Sequence, residues 1–199
     1  EGPGHPGVKF RLATGNAGVM AATNEAVAAA QFPMLLWVFG AVAALCLLTF
    51  RSFAATLCIL LPLGLASLLA YALMAWLEIG LKVGTLPVVA LGVGIGVDYG
   101  IYIYSRFAAL RRPGRSLRET YEDALAITGN GVLFTGLTLG LAVATWVLSS
   151  LKFQADMGIL LVFLFVMNMI GAIVLLPALA HFLVGEPKPG KDPEPKPAR

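Results

Sequence analysis

Long apolar runs separated by short polar segments make up most of the chain. Five of these runs are long enough for a helix to cross the core of a bilayer, which takes about 20 residues. They are residues 32–50, 54–77, 86–104, 132–148 and 157–184. Only the third run contains a residue that is charged at neutral pH, Asp98. The pattern predicts an all-α integral membrane protein with a bundle of five transmembrane helices.

The segments outside the five runs divide the chain into three parts. Residues 8–12 alternate between apolar and polar like a β-strand, and we assign residues 1–16 to the end of an external domain. Residues 17–185 form the predicted transmembrane domain, in which the alanine-rich residues 18–31 extend the first helix outward. Residues 186–199 contain five prolines and no apolar run, which predicts a disordered cytoplasmic tail.

The polar loop between the third and fourth runs has a helix signal of its own. Ser116 and Glu119 have the spacing of a capping box, which satisfies the first backbone N–H groups of a helix. Leu117 and Tyr121 follow on one face of the helix that this box would begin. We therefore predict a short helix near residues 116–127, which either lies in the membrane interface or serves as a solvated connector.

Composition supports a membrane location and argues against several other functions. The chain is 58% hydrophobic and 13% charged, whereas a soluble domain averages about 25% charged residues. Its net charge of +3 is too small to suggest nucleic-acid binding. Cys46 and Cys58 both lie in apolar runs, which favours packing over a disulfide or a metal site. We find no catalytic, metal-binding or cofactor motif, and expect a protein that is not an enzyme and needs no cofactor.

The distribution of positive charge favours one orientation in the membrane. Five arginines lie in or beside the loop between the third and fourth runs: Arg106, Arg111, Arg112, Arg115 and Arg118. The turns on the opposite side carry single lysines, Lys82 and Lys152. Cytoplasmic loops are enriched in Lys and Arg. We therefore predict a protein of the bacterial inner membrane whose N-terminus is periplasmic and whose C-terminus is cytoplasmic.

Asp98 is the residue of this sequence that most needs a functional explanation. At the rise of an α-helix it lies about 18 Å from the outer end of the third run, which is within the hydrocarbon. Insertion of an Asp at the centre of a transmembrane helix costs about 2.5–3.5 kcal/mol. We expect Asp98 to point into the protein and to be central to its chemistry. The alternative is an Asp that only hydrogen-bonds a neighbouring helix.

The third run has two different faces when it is drawn as an α-helix. The residues that share a face with Asp98 are Leu91, Gly94, Tyr102 and Ser105. On the opposite face Gly92, Gly96 and Gly100 recur at every fourth position, a spacing that lets another helix approach closely. We predict helix-packing positions at Gly92, Gly94, Gly96 and Gly100. The glycines do not predict a phosphate-binding loop, because the Lys-Ser/Thr signature of such a loop does not follow them.

The fourth run offers hydroxyl groups that could complement Asp98. One arc of this helix holds small and hydroxylated residues: Thr128, Gly131, Thr135, Thr138, Ala142 and Thr145. Such a stripe suits hydrogen bonding to a carboxylate or a thin path of water. The alternative is that each threonine bonds a carbonyl of its own helix and only packs. Two weaker polar positions occur in or beside the fifth run. We interpret Asn168 as part of a polar patch and Asp156 as a helix cap, with a relay residue as the alternative for Asp156.

The residues around Asp98 resemble a known family. Residues 92–107 read Gly-Val-Gly-Ile-Gly-Val-Asp-Tyr-Gly-Ile-Tyr-Ile-Tyr-Ser-Arg-Phe. They are similar to the fourth helix of each half of RND-superfamily transporters, and above all to the MMPL-type branch of predicted exporters. Thr135-Gly-Leu-Thr138 resembles the next helix of such a half, which contributes a hydroxyl to the proton relay of related efflux pumps. The likeness extends from about Phe10 to Leu183 and corresponds to helices two to six of a C-terminal half.

This resemblance implies a proton-motive-force-driven exporter of hydrophobic or lipid-like molecules. Asp98 and Tyr99, the Asp-Tyr pair of the family, would form the proton relay with Thr135 and Thr138. The implied partners are protons, membrane lipids, a hydrophobic substrate and the other half of the transporter, and relatives act as monomers or homo-oligomers. A sterol-sensing-domain-like protein, which binds lipid or regulates without pumping, is the alternative. A protein-translocation accessory ranks last, because such proteins usually carry different polar residues in this helix.

Overall fold

The computed structural model of this chain describes residues 15–80, 86–111 and 116–184, and these residues are helical almost throughout. The elements are α1 (Asn16–Phe50), α2 (Phe53–Trp76), α3 (Leu86–Leu110), α4 (Leu117–Ala144), a 3₁₀ turn (Thr145–Leu148), α5 (Lys152–Ile170), a π-helical turn (Gly171–Leu175) and α6 (Leu176–Val184). The expectations of an external-domain strand in residues 8–12 and of a disordered tail in residues 186–199 lie outside the described residues.

Within the part of the chain that the structure describes, five helical segments are long and apolar enough to cross a membrane. They are Gly18–Phe50, Phe53–Trp76, Pro87–Leu110, Leu117–Leu148 and Lys152–Val184. The last segment joins α5 and α6 through the π-helical turn. The predicted all-α bundle of five transmembrane helices is therefore confirmed, and α1 includes the alanine-rich residues 18–31 as expected.

The start of α4 shows both a correct and a wrong prediction. The Ser116 hydroxyl accepts a hydrogen bond from the Glu119 backbone N–H at 3.2 Å, as the capping sequence predicts. The helix that begins there does not end near residue 127, however, but runs unbroken from Leu117 to Ala144. The prediction of a separate short helix is wrong because the capping box starts a helix and no proline ends it before the apolar run begins.

Helix α3 is the central element of the bundle, since it contacts α1, α2, α4 and α5. Its inward side chains include the fully buried Ile103 and Phe107. Cys46 of α1 and Cys58 of α2 are completely buried free thiols in the same apolar core, so the packing role predicted for both cysteines is confirmed. The position of α3, and with it that of Asp98, therefore depends on packing against four other helices.

Candidate functional site

Asp98 lies on the outer surface of this bundle, within the membrane-spanning part of α3. The residues predicted to share its face are exposed with it: Leu91, Gly94, Tyr102 and Ser105. The expectation that Asp98 points into the bundle is thus wrong for this chain, although its helical face was correctly identified. The physical reason is that helices approach most closely where side chains are smallest, so the glycine face of α3 takes the inside and the opposite face turns outward.

The glycine face of α3 receives side chains from two neighbouring helices. A Cβ atom added at Gly92 would lie 2.6 Å from Leu164 Cδ1 of α5, and one added at Gly100 would lie 2.9 Å from Ile59 Cγ2 of α2. At Gly96 an added Cβ would overlap the Asn168 amide and come within 2.8 Å of Leu63 Cδ1. At each of these three positions an added side chain would require a neighbouring side chain to move.

Gly94 does not share this environment. A Cβ added there would have no atom within 4 Å, because Gly94 belongs to the exposed face that carries Asp98. The prediction of Gly94 as a helix-packing position is therefore wrong for this chain. Gly94 lies one helical turn before Asp98 and therefore shares its face, whereas the other three glycines lie on the opposite face.

A cleft of about 220 Å³ runs between α3 and α4 in front of Asp98. Its lining consists of Asp98, Tyr99, Tyr102, Gly131, Val132 and Thr135. The Tyr99 side chain is buried, and its hydroxyl has no hydrogen-bond partner among the described residues. The structure thus brings a carboxylate, a phenol and a threonine hydroxyl to one groove, which is open at the bundle surface. Thr138 is exposed and does not line the cleft.

The four threonines of the stripe predicted from the sequence divide into two groups. The hydroxyls of Thr128 and Thr145 donate to carbonyls of their own helix, Ala124 and Ala142, each at 2.7 Å. For these two the packing interpretation applies. Thr135 and Thr138 are exposed on the same helix, which leaves their hydroxyls available to a molecule or a chain outside the bundle.

Polar contacts inside the bundle are not visible in the sequence pattern. Three hydrogen bonds are of this kind. Asn168 Nδ2 donates to the Gly92 carbonyl, Tyr121 Oη donates to the Ile173 carbonyl, and Gln31 Nε2 donates to Tyr71 Oη. Each joins residues of different helices, and a sequence shows only that polar side chains occur in apolar runs. The presence of polar residues within apolar runs is the signal that could have suggested such contacts, but it does not identify which residues pair.

Asp156 is a second acidic residue that the structure places differently from our interpretation. It is 8% exposed and lies inside α5, whereas the residue in the capping position of that helix is Leu151, which makes no side-chain cap bond. The interpretation of Asp156 as a helix cap is therefore wrong.

Among the described residues, no group of three or more His, Cys, Asp and Glu side chains could hold a metal ion.

Comparison with known proteins identifies the family. The model of the MMPL family matches residues 5–196, nearly the whole chain and all of the described bundle. The chain belongs to the MMPL family. This membership places the Asp98 cleft in a membrane domain of the RND superfamily, as the resemblance of residues 92–107 predicted.

The MMPL chain is similar to three membrane proteins of known sequence. Identity to the membrane protein MJ1562 of Methanocaldococcus jannaschii is 29% over 180 residues, which are 90% of this chain and 46% of that protein. Identity to SCO6666 of Streptomyces coelicolor is 34% over 101 residues, or 51% of this chain and 14% of that protein. Identity to YdfJ of Bacillus subtilis is 26% over 89 residues, 45% of this chain and 12% of that protein. The chain thus corresponds to less than half of the length of these relatives.

Proposed function

We propose that this MMPL chain is the membrane part of a proton-motive-force-driven exporter of hydrophobic or lipid-like molecules, with Asp98 as its intramembrane proton carrier. The observation that carries the proposal is the position of Asp98, exposed on the bundle surface in a helix long enough to cross the membrane. The exporter lies in a bacterial inner membrane, with the arginine-rich loop in the cytoplasm and the N-terminus in the periplasm.

A carboxylate on an outer helix face needs a partner other than lipid. Charged residues within membranes pair with one another or line a water-filled path, because an ion is poorly solvated by hydrocarbon. No described residue of this chain hydrogen-bonds the Asp98 carboxylate. The face formed by the Asp98 cleft and the exposed threonines therefore suits an interface with the other half of the transporter, which supplies the polar partner.

Protonation changes the interaction of Asp98 with that interface. An ionised carboxylate attracts a positive or hydrogen-bonding partner strongly, whereas the neutral acid does so weakly. A conformational change follows only if the two protonation states differ in their binding free energy to the two arrangements of the helices. The movement of one proton down a potential of 100 mV provides about 2.3 kcal/mol, which is enough to bias such an equilibrium.

Proton uptake requires a path from water to Asp98. The cleft of about 220 Å³ has room for several water molecules in front of the carboxylate. Thr135 lines the path from α4, and the Tyr99 hydroxyl supplies a donor that has no other described partner. Thr138, outside the cleft, serves in the relay only if the partner half extends the path to it.

The test uses the full-length protein in proteoliposomes with an imposed pH gradient, and follows the movement of a fluorescent phospholipid analogue and of protons. Asp98→Asn keeps the size of the side chain but cannot ionise, so we expect both movements to be lost. Glu122→Gln is the matched control, because Glu122 is an exposed carboxylate that pairs with Arg118 away from the cleft. Equal proton-driven transport by folded Asp98→Asn would exclude the carrier role, and a wild-type protein that binds the analogue without moving it would favour the sterol-sensing-domain-like alternative.

A further inference from the structure

A second, much smaller cavity lies behind α3, on the side opposite the Asp98 cleft. It measures about 10 Å³ and is enclosed by α2, α3, α5 and the segment that follows α5. Its lining consists of Ile59, Pro62, Leu63, Gly96, Gly100, Asn168, Ala172 and Leu176. Seven of these residues have no polar side-chain atom. The single polar side chain, Asn168, therefore decides what the cavity can hold.

Asn168 is 3% exposed and is oriented by one hydrogen bond. Its amide nitrogen donates to the Gly92 carbonyl at 2.9 Å. Because a carbonyl can only accept, the nitrogen must face Gly92 and the Oδ1 atom must point the other way. That oxygen is buried and has no partner among the described residues. An unpaired buried amide oxygen costs about 1–3 kcal/mol, and more where no water can reach it from the bilayer core.

We infer that this cavity binds one water molecule, which donates a hydrogen bond to Asn168 Oδ1. The volume matches, since a cavity of roughly 10–15 Å³ on this measure holds a single water. The chemistry matches too, because a free amide oxygen requires a donor. A metal cation is disfavoured: Ca²⁺ takes six to eight oxygen ligands, and no carboxylate lines the cavity.

Pro62, which lines the cavity, leaves one backbone carbonyl of α2 without its usual helical donor. Proline has no N–H, so Pro62 cannot donate to the Cys58 carbonyl, one turn earlier in α2. Carbonyls freed by proline in transmembrane helices are commonly satisfied by neighbouring groups or by ordered water. A water held by Asn168 in this cavity lies between α5 and α2, directly behind the glycine face of α3. This inference is independent of the proposed transport function.

The experiment is hydroxyl-radical footprinting of the full-length protein in lipid nanodiscs, with the radicals generated from water by an X-ray pulse. Radicals formed from a bound water modify the side chains that surround it, so Leu63 and Leu176 should be oxidised several-fold faster than Leu160 and Leu161. All four side chains are buried in the bundle, but only the first two line the cavity. The measurement on the wild-type protein alone decides whether the cavity contains water.

A variant then tests the role of Asn168. Asn168→Leu removes the amide and should reduce the oxidation of Leu63 to the level of Leu160. Equal oxidation of all four leucines in the wild-type protein would show a dry cavity and overturn the inference. Fast oxidation of Leu63 that persists in Asn168→Leu would mean that a water is present but is not held by Asn168, which also overturns it.

Discussion

The hydroxyl of Tyr121 in α4 donates a hydrogen bond to the carbonyl of Ile173 at 2.9 Å and lies 3.3 Å from the carbonyl of Ala172. Both carbonyls belong to the π-helical turn that precedes Pro177. In a regular helix the N–H of residue 177 would bond to residue 173, and in a π-helix to residue 172. Proline has no N–H, and Tyr121 supplies the missing donor from a neighbouring helix.

A double-mutant cycle tests this compensation. Tyr121→Phe should lower the stability of the purified protein by about 1–3 kcal/mol, because it leaves a partly buried carbonyl unpaired. In a Pro177→Ala background the restored N–H should bond the same carbonyl, so the cost of Tyr121→Phe should fall towards zero. Thermal unfolding in detergent measures all four proteins. Equal costs in both backgrounds would mean that Tyr121 stabilises the bundle only by packing.

Two glycines of α3 provide a matched test of helix packing. Gly96→Ala places a methyl group against the Asn168 amide and Leu63, so we expect a loss of about 1–3 kcal/mol from overpacking. Gly94→Ala meets no atom within 4 Å and should be neutral or stabilising, since alanine is the better helix former. The fraction of monodisperse protein after heating gives the comparison. A Gly96→Ala protein as stable as Gly94→Ala would contradict the close approach of α5 to α3.

The two exposed threonines of α4 should differ in their effect on transport. Thr135 lines the cleft with Asp98 and Thr138 does not. Thr135→Val, which keeps the shape but removes the hydroxyl, should slow proton-driven transport in proteoliposomes, whereas Thr138→Val should not. The reverse order would place the proton path outside the cleft, on the surface that meets the partner half.

Protonation of Asp98 can be followed directly with a hydrophobic carbodiimide, which reacts with protonated carboxyl groups. The neutral acid becomes more populated as pH falls, so the rate of Asp98 modification should rise with decreasing pH. Mass spectrometry of peptides distinguishes the exposed Asp98 from Asp156, which is buried in α5. An Asp98 rate that does not change with pH would argue against exchange of a proton at this site.

Single cysteines test the orientation of the bundle. Arg118 has an 87% exposed side chain, and Lys152 is exposed at the other end of the bundle. Cysteines at the two positions should react with a membrane-impermeant maleimide from opposite sides of sealed vesicles, the first from the cytoplasmic side. Cys46 and Cys58 are buried and should contribute little background. Labelling of both positions from one side would contradict the five-span topology.

Much of the fold could be predicted because the bilayer restricts what an apolar run can do. A backbone in hydrocarbon must satisfy its own hydrogen bonds, so runs of about 20 apolar residues become helices. The same regularity identified the two faces of α3, since Asp98, Gly94 and Tyr102 share a helical period. The ends of the helices were harder to predict. The capping hydrogen bond at Ser116 was predicted, but the length of α4 was not. Helix propensity does not show where a helix ends when neither a proline nor a cap marks the end.

By itself, the sequence determined the number of spans, the acidic position in the third span and the family resemblance of residues 92–107. Each of these depends only on the types of residues and on their spacing along the chain. Only the tertiary structure decided which face of α3 points inward. The choice depends on the side chains of α2 and α5 that fill the space over Gly92, Gly96 and Gly100. With those glycines inside, Asp98 is left on the outside, and its carboxylate faces the cleft beside Thr135.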